Sequence, residues 1–317
     1  RQRAILTNAR IWEETILKKR IFTGAGIAII TPMFPNGGIN WTELGRIIDW
    51  QIENSTDAII VCGTTGESST MTDEEHLEAI RFTKDRVAGR VPVIAGAGSN
   101  DTAYAVNLAK ESKQVGVDGL LVVTPYYNKT SQRGLVAHYN KIADATDLPV
   151  IVYHIPSRTG VTIAPKTFRE LSKHPNIVAV KEACGNISQI AETKYLCGDE
   201  LDLYSGNDDQ ILPILSLGGI GVISVLSHVA PKVAHDICQF YFDGKIAEST
   251  KLQLEYMDLI HALFIDINPI PVKEAVNLMG FAAGPCRMPL YPMSDADREV
   301  LIAAMKNHGL PDRKSVV

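Results

Sequence analysis

The side chain with the most chemistry to offer is a lysine at the end of an apolar run. Lys181 follows Ile177-Val178-Ala179-Val180 and precedes Glu182. In dry surroundings a lysine loses stabilisation of its charged form and its pKa falls. The neutral amine is then a nucleophile that can form an imine with a ketone. The competing reading is an ion pair at a strand end, with Glu182 or Asp208 as partner. Tyr153 closes another apolar run. It either lines the core with its hydroxyl bonded to a neighbour or carries a proton beside an imine nitrogen. Thr64 and Thr65 lie in a glycine-flanked turn, GTTGES at 63–68. That pattern serves simple turn chemistry or a nest of N–H groups and hydroxyls for a carboxylate. Arg158, in PSRTG at 156–160, either makes a loop salt bridge or grips a second carboxylate through two parallel bonds.

Other chemistries find less support. His138 and His154 have no His, Cys or carboxylate partner at ligand spacing, so no metal site is expected. The five cysteines are odd in number and form no CxxC pair, which fits reduced thiols in a reducing, cytoplasmic setting. Cys62 and Cys184 stand beside the motifs, but neither is paired with a base. Glu67, Asp73, Glu74 and Glu75 read as an acidic cluster favourable to a helix N-terminus. Gly24-Ala25-Gly26 lacks the third glycine of a dinucleotide loop, and no GxxxxGK[ST] phosphate loop is present.

These residues need a scaffold. Short apolar runs, most of them rich in β-branched residues, recur at 26–31, 57–63, 91–96, 118–124, 149–154, 177–182, 202–206 and 219–225. They are continuous rather than alternating, as parallel strands buried on both faces require. Helical periodicity fills 42–54, 72–87, 102–115, 131–145 and 165–174. Thr72 and Glu75 form a capping-box pattern, and Pro165 stands in a first turn. Eight strands in such an alternation predict an α/β (β/α)8 TIM barrel. After the eighth strand, helices are expected at 231–242, 245–264, 269–279 and 294–307. The expected organisation is a basic leader over 1–20, a barrel over 21–243 and a C-terminal helical appendage over 244–317. The leader is basic and amphipathic like a targeting peptide, but Glu13 and Glu14 argue against that, and with no initiator Met, which suggests processing or an added leader, a non-functional leader is the favoured expectation. The polar residues gather where strands end, which in this architecture is the catalytic face. The chain has 317 residues, 45% of them apolar, and a net charge of −5. Neither a nucleic-acid surface nor a transmembrane span is expected.

Five motifs in order carry a resemblance: GTTGES (63–68), TPYYNK (124–129), YHIPSRTG (153–160), VAVKEA (178–183) and YSGND (204–208). Together with NPIPVKEAVNLMG at 268–280 they resemble the 4-hydroxy-tetrahydrodipicolinate synthase family over about residues 22–310. The resemblance implies condensation of pyruvate with L-aspartate 4-semialdehyde, the first committed step of the diaminopimelate route to L-lysine. It needs no metal or organic cofactor, because pyruvate is held covalently on Lys181. It also implies that Tyr153, Thr64 and Tyr127 relay protons, Tyr127 reaching into the neighbouring subunit of a dimer of dimers. Thr64 and Thr65 would hold the pyruvate carboxylate, and Arg158 the second substrate. Gly206 and Ile223 would line the pocket through their backbone.

Two positions depart from the family pattern. His154 stands where Asn is usual, with a small effect expected if the strand alternates. Ser68, His76, Asn100 and Tyr126 match the pocket where sensitive relatives bind L-lysine. There, Asp73 replaces a His or another residue and Tyr104 replaces a Glu, so weak or absent inhibition by lysine is expected. N-acetylneuraminate lyase and keto-deoxy-sugar-acid aldolases share the barrel, lysine and tyrosine. Arg158 and the paired threonines favour the dicarboxylic product over these. A non-catalytic barrel is the remaining alternative.

Overall fold

All eight apolar runs form strands. They are β1 (Gly24–Ala28), β2 (Ala58–Val61), β3 (Val93–Gly96), β4 (Gly119–Val123), β5 (Val150–His154), β6 (Ile177–Glu182), β7 (Asp202–Ser205) and β8 (Gly221–Ser224). The structure, a computed structural model, describes residues 18–311. Every strand pairs in parallel with its successor, and β8 pairs with β1, closing the barrel. Most strands are shorter than the apolar runs, which extend into the loops at one end or both, while β6 fills its run completely.

Helices α1 (Trp41–Glu53), α2 (Asp73–Val87), α3 (Thr102–Val115), α4 (Gln132–Ala143), α5 (Pro156–Thr159), α6 (Pro165–Leu171), α7 (Ile187–Cys197), α8 (Ile211–Ser216) and α9 (Pro231–Phe242) follow the strands in turn. The Thr72–Glu75 capping box forms as expected, each side chain bonded to the other's backbone N–H. The sequence reading names neither α7 nor α8. The first turns Ile187 and Tyr195 to the exterior, which blurs its apolar stripe, and the second is only six residues long with Pro213 in its first turn. Arg158 lies on the single helical turn α5 rather than in an open loop.

The C-terminal region comprises α10 (Ile246–Glu255), α11 (Met257–Ala262), α12 (Ile270–Leu278) and α13 (Asp295–Asn307). The single helix expected over 245–264 is two helices that meet at Tyr256. No Gly or Pro marks the break. Tyr256 stacks on His308 with centroids 4.1 Å apart, and Asp258 accepts bonds from Asn307 and His308. The break is therefore set by contacts with distant residues.

One apolar cluster fills the space between strands and helices, and another fills the barrel itself, with Ile60, Ile94, Ile151, Tyr204 and Ile223 among its members. Phe22 stacks on Tyr204 at 4.4 Å, and its carbonyl accepts the Tyr204 hydroxyl at 2.6 Å. This contact fills the end of the barrel where the strands begin. Residues 1–17 of the expected leader lie outside the described residues. Its last positions already dock on the barrel: Lys18 donates to the carbonyls of Ser172 and Ile177, and Arg20 pairs with Asp202. No helix among the described residues is long and apolar enough to cross a membrane.

Candidate active site

Successive side chains of a strand point to opposite faces, and this decides which polar residues meet. Tyr153 on β5 pairs in register with Lys181 on β6, and His154 pairs with Glu182. Tyr153 and Lys181 face the barrel interior. The Lys181 side chain is 6% exposed, and its Nζ lies 4.2 Å from the centroid of the Tyr153 ring. Burial lowers the Lys181 pKa to about 7; Asp208 pulls the other way, and Arg158 adds to the lowering. A large fraction of the amine is thus neutral near neutral pH.

Neither carboxylate considered as a partner sequesters this lysine. Glu182 points outward, where its Oε1 lies 2.8 Å from His154 Nδ1 and accepts the Cys184 N–H at 2.9 Å. Asp208 is buried, which raises its pKa. Its Oδ2 accepts the N–H groups of Val225 and Leu226, each at 2.9 Å, and it influences Lys181 through its field.

Thr64 and Tyr153 hydrogen-bond through their side chains, while burial raises the tyrosine pKa. Both line a cavity of about 370 Å³ together with Arg158. Thr65 is buried beside it. Its Oγ1 accepts from Asn268 Nδ2 at 2.9 Å, and the Asn268 carbonyl accepts from Arg158 at 2.9 Å. The sequence reading places Asn268 in the C-terminal region without a role in the site, yet it bridges two of the candidate residues. Gly206 packs against the lysine: a Cβ there would lie 2.8 Å from the Ala183 Cβ and 3.2 Å from Lys181 Cγ. Ile223 is buried in the barrel interior.

Tyr127 does not join this group. It is 90% exposed and has a left-handed backbone, φ 70°. Ser68, His76, Tyr104 and Tyr126 line the same cavity as Thr64, Tyr153 and Arg158. Asn100 is not among its lining residues; its carbonyl accepts from Asn128. His76 Nε2 is 2.8 Å from the Gly96 carbonyl. The Tyr104 hydroxyl donates to Asp73 at 2.7 Å.

Two expectations need correction. Glu67 does not join Asp73, Glu74 and Glu75 in an acidic cluster at the N-terminus of α2. It is buried against Lys273, because its left-handed backbone turns the side chain inward beneath the C-terminal region. His154 does have partners, since the sheet brings Glu182 and Cys184 to it, with ligand atoms within 4.8 Å of one another. Both imidazole nitrogens are already engaged, Nδ1 with Glu182 and Nε2 as acceptor of the Ile163 N–H at 3.1 Å, so the ring has no free lone pair to offer an ion. Burial raises the thiol pKa of Cys62, and raises that of Cys184 to about 12, which suits neither to be a nucleophile.

The model of the dihydrodipicolinate synthetase family matches residues 21–308. A 4-hydroxy-tetrahydrodipicolinate synthase of Caldicellulosiruptor saccharolyticus is 56% identical over 290 residues, 92% of this chain and 98% of that one. The enzyme of the same name from Clostridium novyi is 52% identical over 93% of this chain and 99% of its own. Among solved structures, the dihydrodipicolinate synthase of Cyanidioschyzon merolae with lysine bound superposes with a TM-score of 0.90 at 42% identity, covering 92% of this chain and 100% of that one. That of Aquifex aeolicus gives the same TM-score, identity and coverage. With a closed eight-stranded barrel, a buried lysine at the end of β6 and relatives of this identity across nearly the whole length, the chain belongs to the dihydrodipicolinate synthetase family.

Proposed function

We propose that the chain is a Schiff-base-forming lyase that condenses pyruvate with L-aspartate 4-semialdehyde. The observation that carries this reading is the buried amine of Lys181, with its pKa lowered to about 7, lying over the Tyr153 ring at the cavity of a barrel of this family. The neutral amine attacks C2 of pyruvate, and water leaves to give the imine. Loss of a methyl proton gives the enamine, whose carbon bonds to the semialdehyde carbon as the aldehyde oxygen gains a proton. The adduct's own amine then attacks C2, closing the ring and releasing Lys181. The imine is the electron sink, and no metal or organic cofactor enters these steps.

Tyr153 and Thr64 move protons at the imine nitrogen and at the departing water. Thr64 and Thr65 hold the pyruvate carboxylate, Arg158 holds that of the semialdehyde, and Gly206 and Ile223 bound the pocket. Tyr127 serves the site of a second copy in a dimer, two of which form a tetramer; its outward direction supports this. Inhibition by lysine is weak, because Tyr104 presents a phenol, already bonded to Asp73, where sensitive relatives carry a carboxylate. Activity abolished by millimolar lysine refutes that last point.

Reduction with sodium borohydride in the presence of pyruvate, followed by peptide mapping, tests the main reading. The stable adduct is expected on the peptide containing Lys181 and nowhere in Lys181→Ala. An unmodified parent protein, or sialic acid cleavage in place of semialdehyde consumption, refutes it.

A further inference from the structure

The segment 268–287 carries a buried ion pair that the reaction steps above do not use. Lys273, on α12, places Nζ 2.7 Å from Glu67 Oε1 and donates a second bond, also 2.7 Å, to the Pro285 carbonyl. Glu67 Oε2 accepts the Arg287 N–H at 2.8 Å. The two side chains are 2% and 1% exposed. Such a pair gives a fold little or no advantage over apolar residues of the same volume, since the cost of removing both charges from water offsets their attraction. A stabilising role alone does not account for its position.

That position is the end of the threonine turn. Backbone is left-handed on both sides of Thr64 and Thr65, at Cys62 (φ 56°) and Glu67 (φ 58°). Residues with side chains seldom adopt this conformation unless their surroundings impose it. The Glu67 N–H donates to the Thr64 carbonyl at 3.1 Å, so a rotation at Glu67 displaces Thr64. Thr31 donates to the Gly66 carbonyl at 2.8 Å, and Asn268, five residues before Lys273, donates to Thr65. An apolar contact could press α12 against the turn, but it would leave the turn free to rotate. A carboxylate held at both oxygens fixes its rotation as well.

We propose that Glu67 and Lys273 form a positioning pair that locks the Thr64 and Thr65 hydroxyls in place before substrate enters. The inference deepens the functional reading above and rests on it. The pair acts through the threonines and does not touch substrate. It makes the C-terminal region part of the catalytic apparatus and ties the site's preorganisation to the docking of α12.

The test is the double variant Glu67→Gln/Lys273→Met in the full-length chain, which removes both charges at nearly constant volume and strands neither. Thermal midpoint, steady-state kinetics and borohydride trapping are compared with the parent. The expected result is a thermal midpoint near that of the parent, a KM for pyruvate raised about tenfold and a kcat lowered less than that. Tyr139→Phe, which loses a buried bond to the Val122 carbonyl, controls for lost stability and keeps the parent KM. A folded double variant whose KM for pyruvate lies within about twofold of the parent overturns the proposal. Should the double variant not fold, amide exchange in the parent decides. Bound pyruvate slows exchange at the Arg287 N–H, and unchanged exchange there overturns the proposal. Absence of any pyruvate adduct in the parent instead refutes the functional reading, so the two failures are distinct.

Discussion

The inner and outer faces of β5 and β6 put neighbouring residues to opposite uses. Tyr153 and Lys181 face each other inside the barrel, and His154 and Glu182 do so one position later on the outside. Both pairs are buried. The outer pair is saturated: both imidazole nitrogens are engaged, and Glu182 also takes a backbone N–H. The inner lysine has an aromatic face beneath its amine and a carboxylate acting from a distance. A buried polar group with its bonds filled holds structure together. A buried amine whose charged form lacks a close partner is poised for chemistry.

The contrast is most sharply tested by exchanging the roles of the two faces. Lys181→Met should lower kcat by at least about 10³-fold and abolish borohydride trapping. The same change should stabilise the fold. The native pKa is depressed from 10.5 to about 7, so between those values the unfolded chain binds more protons than the folded one. The destabilisation due to Lys181 is therefore complete below about pH 7 and fades as pH approaches 10.5. Thermal midpoints of parent and variant at pH 6 and at pH 10 check this, and a variant less stable than the parent at pH 6 breaks the comparison.

Tyr153→Phe should keep the pocket and lower kcat about 10²-fold, with trapping slowed rather than lost. On the parent, the initial rate of imine formation should rise with pH and level off with a midpoint near 7. A midpoint in the ordinary lysine range would mean that burial does not set the amine's charge. The outer face should behave in the reverse way. Glu182→Ala leaves the buried His154 Nδ1–H without its acceptor and should cost about 1–3 kcal/mol of stability, read by denaturant unfolding, while turnover of the natural substrates by the folded fraction stays within about threefold. His154→Asn should have the smallest effect on turnover, since the side chain points away from Lys181.

Much of the fold was legible because its signals are local. Eight apolar runs became eight strands, and the capping box at Thr72 and Glu75 formed as written. The break at Tyr256 was not legible, because it depends on residues about fifty positions away in the appendage. Glu67 looked like its acidic neighbours, and only its backbone conformation and the approach of α12 distinguish it. Asn268 belonged to a quoted motif, but its bonds to Thr65 and Arg158 cross about two hundred and one hundred residues of sequence.

By itself the sequence determined the period of the elements, the placing of polar residues at strand ends, and Lys181 as the nucleophile to examine, because these follow from side-chain type and near-neighbour order. Only the tertiary structure decided which carboxylate meets which cation. Closing the barrel fixed the register that sends Lys181 inward and Glu182 outward, and docking the C-terminal helices buried Glu67 with Lys273. Such pairings depend on distances through space, which chain order does not encode locally.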